Sequence, residues 1–131
     1  MILLDTHVLI WWLNGSAKLS NKALREIKNS KKKEKIFVSS ISIWEIAMLV
    51  KKKRLKLTLN VESWIREVER LTYINFLPVD NNIAFESVYL PEFKHKDPAD
   101  RIIVATARGL RAKLITSDIR ILRYPHIQTI W

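Results

Sequence analysis

Short apolar segments alternate along the chain with longer ones whose apolar residues recur every three or four positions. The short segments predict buried strands at residues 2–4, 36–38, 74–77, 113–116 and 127–131. The longer ones predict helices at residues 6–13, 20–29, 41–54, 61–71, 83–90, 97–109 and 119–122. This alternation predicts an α/β fold, a three-layer α/β/α sandwich with a short, mostly parallel central sheet.

Length and composition predict one domain over residues 1–131. The chain is 48% hydrophobic with five tryptophans, so it can bury a substantial core, and no linker or repeat divides it. It has no cysteine, which excludes disulfides and thiolate chemistry and suits a reducing cytoplasm. No signal-peptide pattern precedes the first strand, and no apolar run could span a membrane.

The charge of the chain indicates a polyanionic partner. Its formal net charge is +10 with a pI near 10.0, and nucleic acid attracts such proteins because phosphate neutralisation releases counterions. An acidic protein partner or plain solubility are the alternatives. The lysine run at residues 31–33 is expected to be a solvated, mobile stretch.

Four acidic residues are predicted to meet at one edge of the sheet. Asp5 and Asp118 follow the first and fourth strands, and Glu45 lies one turn into the helix after the second. Asp100 lies in the first turn of the helix before the fourth strand and joins them if that helix starts at the same edge. Ligands of parallel α/β sheets bind at this carboxyl edge.

Helix capping explains each acid singly. Asp5 and Asp118 are possible N-caps, residues 42–45 fit a capping box, and Asp97 with Pro98 forms a capped helix start ahead of Asp100. Capping does not explain why a basic protein gathers four acids. Glu45, whose helical neighbours are apolar, needs a polar partner of its own.

Four neighbouring carboxylates need a cation among them, because otherwise each raises the pKa of the others. Oxygen ligands without cysteine suit Mg²⁺, with Mn²⁺ as the alternative. Such ions support phosphodiester hydrolysis. The residues therefore favour a nuclease whose basic surface holds the nucleic acid.

Four motifs resemble those of PIN-domain proteins, in the same order along essentially the whole chain. They lie at residues 4–11, 40–46, 95–107 and 114–118, and each carries one of the four acids. The short chain is similar to the VapC-type toxins of prokaryotic toxin–antitoxin pairs.

The resemblance implies a metal-dependent endoribonuclease. Asp5 and Asp100 would be the main metal ligands, Glu45 would position the metal or the attacking water, and Asp118 would serve a second metal or a water. Thr116 would hydrogen-bond an acid or water. The resemblance also implies an RNA substrate, a homodimer and a cognate antitoxin that lies across the active-site groove.

Several other residues are given structural rather than catalytic roles. His7 and His95 are interpreted as ordinary hydrogen-bonded side chains, Asp97 as a helix cap, and Arg101 and Arg108 as solvated. The tryptophans in apolar helical stretches are expected in the core or in a dimer interface: Trp11, Trp12, Trp44 and Trp64.

Three rival classes remain. A response-receiver domain would need an acceptor aspartate directly after the third strand, where Asp80 lies too late. A haloacid-dehalogenase-like phosphatase would need a second aspartate at the position of His7. A basic nucleic-acid-binding module without catalysis would bind RNA unchanged when Asp5 is replaced by asparagine.

Overall fold

The computed structural model describes residues 1–131. Its strands are β1 Ile2–Leu4, β2 Ile36–Ser39, β3 Ile74–Leu77, β4 Lys113–Ile115 and β5 Gln128–Ile130. Its helices are α1 Thr6–Leu13, α2 Asn21–Lys32, α3 Ser40–Lys51, α4 Val61–Glu69, α5 Asn81–Val88, α6 Pro98–Leu110 and α7 Ile119–Leu122. None of these helices is long and apolar enough to cross a bilayer.

The five strands form one sheet in the order β3-β2-β1-β4-β5, and every neighbouring pair is parallel. The predicted α/β fold with a parallel sheet is therefore confirmed. Receiver domains have the order 2-1-3-4-5, so the receiver-like alternative is wrong.

Apolar residues pack on both faces of the sheet, which gives the three predicted layers. Successive residues of β1 point to opposite faces, so that Ile2 and Leu4 join one cluster and Leu3 the other. The first cluster includes Ile27 of α2 and Trp64 of α4. The second cluster contains the apolar face of α6 and residues of α7. The central strand β1 is thus fixed from both sides, and the residue that follows it is held rigidly.

The observed bounds of α2 to α6 differ from the predicted ones by up to three residues, and two of these differences have a clear physical cause. Lys31 and Lys32 belong to α2, whose last turn they occupy, because cations stabilise the negative end of a helix. Gly109 lies inside α6 and does not end it. The left-handed residue that terminates α6 is Arg111, with φ of 52°.

The tryptophans are divided between core and surface. Trp64 is buried, and Trp12 is partly buried against the same cluster. Trp11 is also partly buried, with its ring centroid 5.9 Å from that of Trp131. Trp44 is 56% exposed and so does not lie in the core, and the other expectation for it, a dimer interface, stays a prediction.

Candidate active site

Asp5 lies at the carboxyl end of the central strand and is held by two hydrogen bonds. Its Oδ1 accepts from the backbone N–H of Thr6 at 2.8 Å, which makes it the N-cap of α1. Its Oδ2 accepts from Thr116 Oγ1 at 2.7 Å. Thr116 in turn accepts from the backbone N–H of Asp118 at 3.1 Å. One hydroxyl group therefore ties the end of β1 to the turn after β4.

The carboxyl group of Asp5 is costly to ionise where it lies. Burial raises its pKa from 3.8 to about 6, although the hydrogen bond from Thr116 lowers it. The negative charges of Asp100 and Glu45 raise it further. A nearby cation would reverse these effects, since it stabilises the ionised form.

Glu45 finds its polar partner on α1. Its Oε1 accepts a hydrogen bond of 2.6 Å from Thr6 Oγ1. Ser42 Oγ lies 2.9 Å from Thr6 Oγ1 and must be the donor there, because Thr6 has only one hydroxyl hydrogen. Burial raises the pKa of Glu45, against the hydrogen bond from Thr6, and the charge of Asp100 adds to the rise.

The capping-box interpretation of residues 42–45 is wrong. Helix α3 begins at Ser40, its N-cap is Ser39, and Ser42 lies buried inside the helix. Glu45 therefore caps nothing. Its place, one turn into α3, directs it to α1 and to the carboxyl edge of the sheet.

Asp100 contacts a histidine. His95 Nε2 lies 2.6 Å from Asp100 Oδ2, and the two side chains are only 8% and 16% exposed. Asp97 caps α6 as predicted, through a bond of 3.0 Å from the backbone N–H of Asp100 to its Oδ1. Burial raises the pKa of Asp100, the hydrogen bond to His95 lowers it, and the charge of Asp97 raises it.

Asp118 is paired with a cation. Its Oδ1 and Oδ2 accept from Arg120 Nε and Nη2 at 3.1 Å and 3.0 Å. Its Oδ1 also accepts from the backbone N–H of Arg120, which makes Asp118 the N-cap of α7. Partial burial opposes ionisation, but the hydrogen bonds and charge of Arg120 hold the pKa of Asp118 below its ordinary value.

The four predicted acids share one electrostatic environment. Ligand atoms of His95, Asp100 and Asp118 lie within 4.8 Å of one another. The charge of Asp100 raises the pKa values of both Asp5 and Glu45. Three of the four carboxyl groups thus have raised pKa values. The four acids together present oxygen atoms from four separate parts of the chain. This donor set fits a hard divalent cation.

Three residues at the site were not identified from sequence as part of it. His95 was given only an ordinary hydrogen-bonding role, and Thr6 and Arg120 had none. Thr6 directly follows Asp5, so its place at the strand exit was a usable signal. The contacts of His95 and Arg120 depend on the conformations of the loop before α6 and of the turn that leads into α7, which apolar periodicity does not define.

Arg101 is not solvated, contrary to prediction. Its guanidinium donates to the backbone oxygens of Ser87, Val88, Phe93 and His95 at 2.7–3.1 Å. It therefore fixes the segment that carries His95. Arg108, in contrast, is exposed, with Nη1 3.9 Å from Glu86 Oε2.

The sequence matches the PIN domain family over residues 2–127, and the chain belongs to this family. It is 33% identical to Ribonuclease VapC22 of Mycobacterium tuberculosis over 132 residues, which covers 99% of this chain and 98% of that protein. The resemblance to PIN-domain proteins of the VapC type is therefore confirmed.

Solved structures share the fold at lower identity. The chain has a TM-score of 0.72 to the VapBC2 complex of Rickettsia felis bound to a promoter DNA fragment, at 20% identity over 99% of this chain and 98% of that one. It has a TM-score of 0.68 to a toxin–antitoxin complex of Klebsiella pneumoniae, at 24% identity over 100% of this chain and 97% of that one.

Proposed function

We propose that this protein is a metal-dependent endoribonuclease that hydrolyses RNA phosphodiester bonds, and that it is the toxin of a toxin–antitoxin pair. The observation that carries the proposal is the convergence of Asp5, Glu45, Asp100 and Asp118 at one edge of the sheet in a chain of net charge +10. Membership of the PIN family and the 33% identity to a ribonuclease support it.

The metal would be Mg²⁺, with Mn²⁺ as the alternative. Asp5 and Asp100 would be its main ligands, because burial makes both carboxyl groups costly to ionise without a cation and the charge of Asp100 raises the pKa of Asp5 further. Glu45 and Asp118 would complete the oxygen set. When bound, such an ion activates water and neutralises the charge that develops on the phosphate.

The remaining roles follow from the hydrogen bonds. Glu45 binds Thr6 through Oε1 alone, which leaves Oε2 to accept a proton from the attacking water. Thr116 orients Asp5 and the turn that carries Asp118. His95 orients Asp100, as partners of metal-binding carboxylates commonly do.

A protein antitoxin is the proposed partner. Complexes of toxins with antitoxins from Klebsiella pneumoniae and Rickettsia felis share this fold. Because the proposed substrate is cellular RNA, we place the activity in the cytoplasm.

The homodimer stays a prediction. Helix α5 exposes Phe85 and Val88 by 60% and 66%, and Tyr89 just beyond it by 67%. This apolar surface is where we expect a second copy to bind. Tyr89→Glu would then convert a dimer to a monomer in sedimentation experiments.

Cleavage of total cellular RNA tests the function. We expect discrete cuts by the wild type with Mg²⁺ or Mn²⁺, none with chelator, and none by Asp5→Asn or Asp100→Asn. Circular dichroism would verify that both variants fold. Metal-independent cleavage, or equal cleavage by wild type and variants, would contradict the proposed site.

A basic binding module without catalysis is the second candidate, supported by the net charge alone. It predicts RNA binding by the wild type and by Asp5→Asn alike, with no cleavage by either. The cleavage assay therefore separates the two candidates directly.

A further inference from the structure

A large open groove adjoins the candidate site on one side. It has a volume of about 920 Å³ and is formed by the loop before α6 and by α7. His95, which contacts Asp100, lies in its wall, and so does Arg120, which contacts Asp118. The groove therefore begins at two of the four proposed catalytic acids.

Cationic side chains outnumber carboxylates in the lining of the groove. It contains Lys94, Lys96, Arg120 and Arg123, against two carboxylates, Glu92 and Asp97. Lys94, Lys96 and Arg123 are exposed and have no acidic partner within 4.0 Å. Their ammonium and guanidinium groups are thus free to bind an anion.

Arg120 is the cation closest to the acids, and it is already oriented. Its Nε and Nη2 donate to Asp118, while Nη1 makes no hydrogen bond within the protein. The two bonds to Asp118 orient the Arg120 side chain and leave N–H donors available to a ligand. A fixed guanidinium loses less conformational entropy when it binds a phosphate than a free one does.

We propose that this groove binds the RNA strand on one side of the scissile phosphate, through phosphate contacts to Arg120, Arg123, Lys94 and Lys96. The inference rests on the proposed ribonuclease function for its substrate. A strand held at the acids continues covalently, so its next phosphates must lie beside them. On this side of the site, the side chain that contacts Asp118 is the cation Arg120.

The groove also indicates how the strand is read. Phosphate contacts fix position and carry no sequence information. Ile119, which is 56% exposed in the groove wall, is an apolar side chain available to contact a base. We therefore expect the groove to set the affinity and register of a single strand, with little preference among bases.

A matched pair of double variants tests this inference. Lys94→Gln/Arg123→Gln removes two charges from the groove. Lys51→Gln/Lys52→Gln removes two from the far end of α3, about 18 Å along the helix from its start at the carboxyl edge. Cleavage of a labelled single-stranded RNA is measured with Mg²⁺, and binding of a labelled poly-uridylate 12-mer is measured in chelator, each over a range of salt.

For the groove variant we expect a rise in KM of about 10-fold or more, with kcat changed less than about 3-fold. The slope of log Kd against log salt should fall by about 1.4, which corresponds to two lost contacts to a single strand. The far-end variant should match the wild type in KM and slope. Equal effects of the two variants would overturn the inference, because they would reflect net charge alone.

Arg120 is tested separately, because it contacts Asp118 as well as the proposed phosphate site. Arg120→Lys keeps the charge but cannot make the two-bond contact with Asp118. We expect Arg120→Gln to lower the slope of log Kd against log salt and to raise KM. Arg120→Lys should restore the slope of the wild type, while its KM stays above that of the wild type. Unchanged KM and slope in both variants would remove Arg120 from the inference.

Two further outcomes separate this inference from the proposed ribonuclease function and from binding of an acidic protein. If the wild type cuts no RNA but binds poly-uridylate in a groove-dependent way, the ribonuclease function fails and the RNA-binding groove stands. If a poly-glutamate peptide of equal charge displaces the 12-mer as well as unlabelled poly-uridylate does, the groove recognises acidic protein equally and the RNA assignment is overturned.

Discussion

Thr116 donates a hydrogen bond of 2.7 Å to Asp5, across 111 positions of the chain. The same oxygen accepts from the backbone N–H of Asp118. Replacement by valine removes both contacts and leaves Asp5 with one buried oxygen unpaired. We expect Thr116→Val to lose about 1.5–3 kcal/mol of unfolding free energy and most of its RNA cleavage. Urea unfolding and the cleavage assay measure the two effects.

Thr116→Ser is the matched control for that loss. It keeps the hydroxyl group and removes one methyl group, which costs about 1 kcal/mol. Its cleavage rate should stay close to that of the wild type. If serine were as inactive as valine, the hydroxyl would not be the functional group.

Asp5 should make the metal-free protein less stable at neutral pH. Its pKa is about 6 in the folded protein and near 3.8 in the unfolded chain, so the folded state binds the proton more tightly. Stability is therefore lost as pH rises from about 4 to above 6, by about 3 kcal/mol. In chelator, Asp5→Asn should gain that amount relative to wild type at pH 7.5 and little at pH 4. A difference that did not vary with pH would contradict the raised pKa.

Divalent metal should stabilise the wild type and not its site variants. An ion that binds only the folded state contributes about 2.7 kcal/mol at 100 times its dissociation constant. We expect the melting temperature to rise with Mg²⁺ or Mn²⁺ for the wild type and for Glu69→Gln, an exposed acid outside the site. Asp5→Asn and Asp100→Asn should show little rise. Equal rises in all four proteins would indicate non-specific ion effects.

His95 should influence the rate through Asp100. His95→Ala removes the only side-chain hydrogen bond of that carboxylate. Partners of metal-binding groups typically contribute 10-fold to 100-fold in activity, and we expect a loss of about that size in kcat/KM. His95→Gln keeps a donor and should recover part of it. The metal concentration that gives half the maximal rate should be higher for His95→Ala than for the wild type. A purely structural role of His95 would not produce this increase.

Arg101 should be required for stability. Its guanidinium donates to four backbone oxygens between residues 87 and 95, and Arg101→Ala removes all four bonds. We expect a loss of about 3 kcal/mol or more. Arg108→Ala, on the same helix and exposed, should lose less than about 0.5 kcal/mol. Similar losses for the two variants would mean that the backbone contacts contribute little.

The α/β fold could be predicted from the sequence because each strand is a short apolar segment and each helix has its own apolar stripe. The shared location of Asp5 and Asp118 could also be predicted, since residues that follow parallel strands lie at the same edge of the sheet. The strand order did not follow from the sequence, because parallel neighbours are chosen by packing on both faces. Nor did the partners of His95, Arg101 and Arg120, which depend on loop conformation and on contacts far apart in the chain.

The order in which the site is built has a consequence for synthesis of the protein. Asp5 is synthesised before Thr116 and Asp118, which follow it by 111 and 113 positions. Strand β4 must insert beside β1 before Asp5 gains its hydroxyl partner, and β5 must then cover the edge of β4. A nascent or truncated chain that stops short of β4 therefore has an open sheet and an incomplete set of acids. The four acids can therefore come together only after β4 and the turn that carries Asp118 have been synthesised.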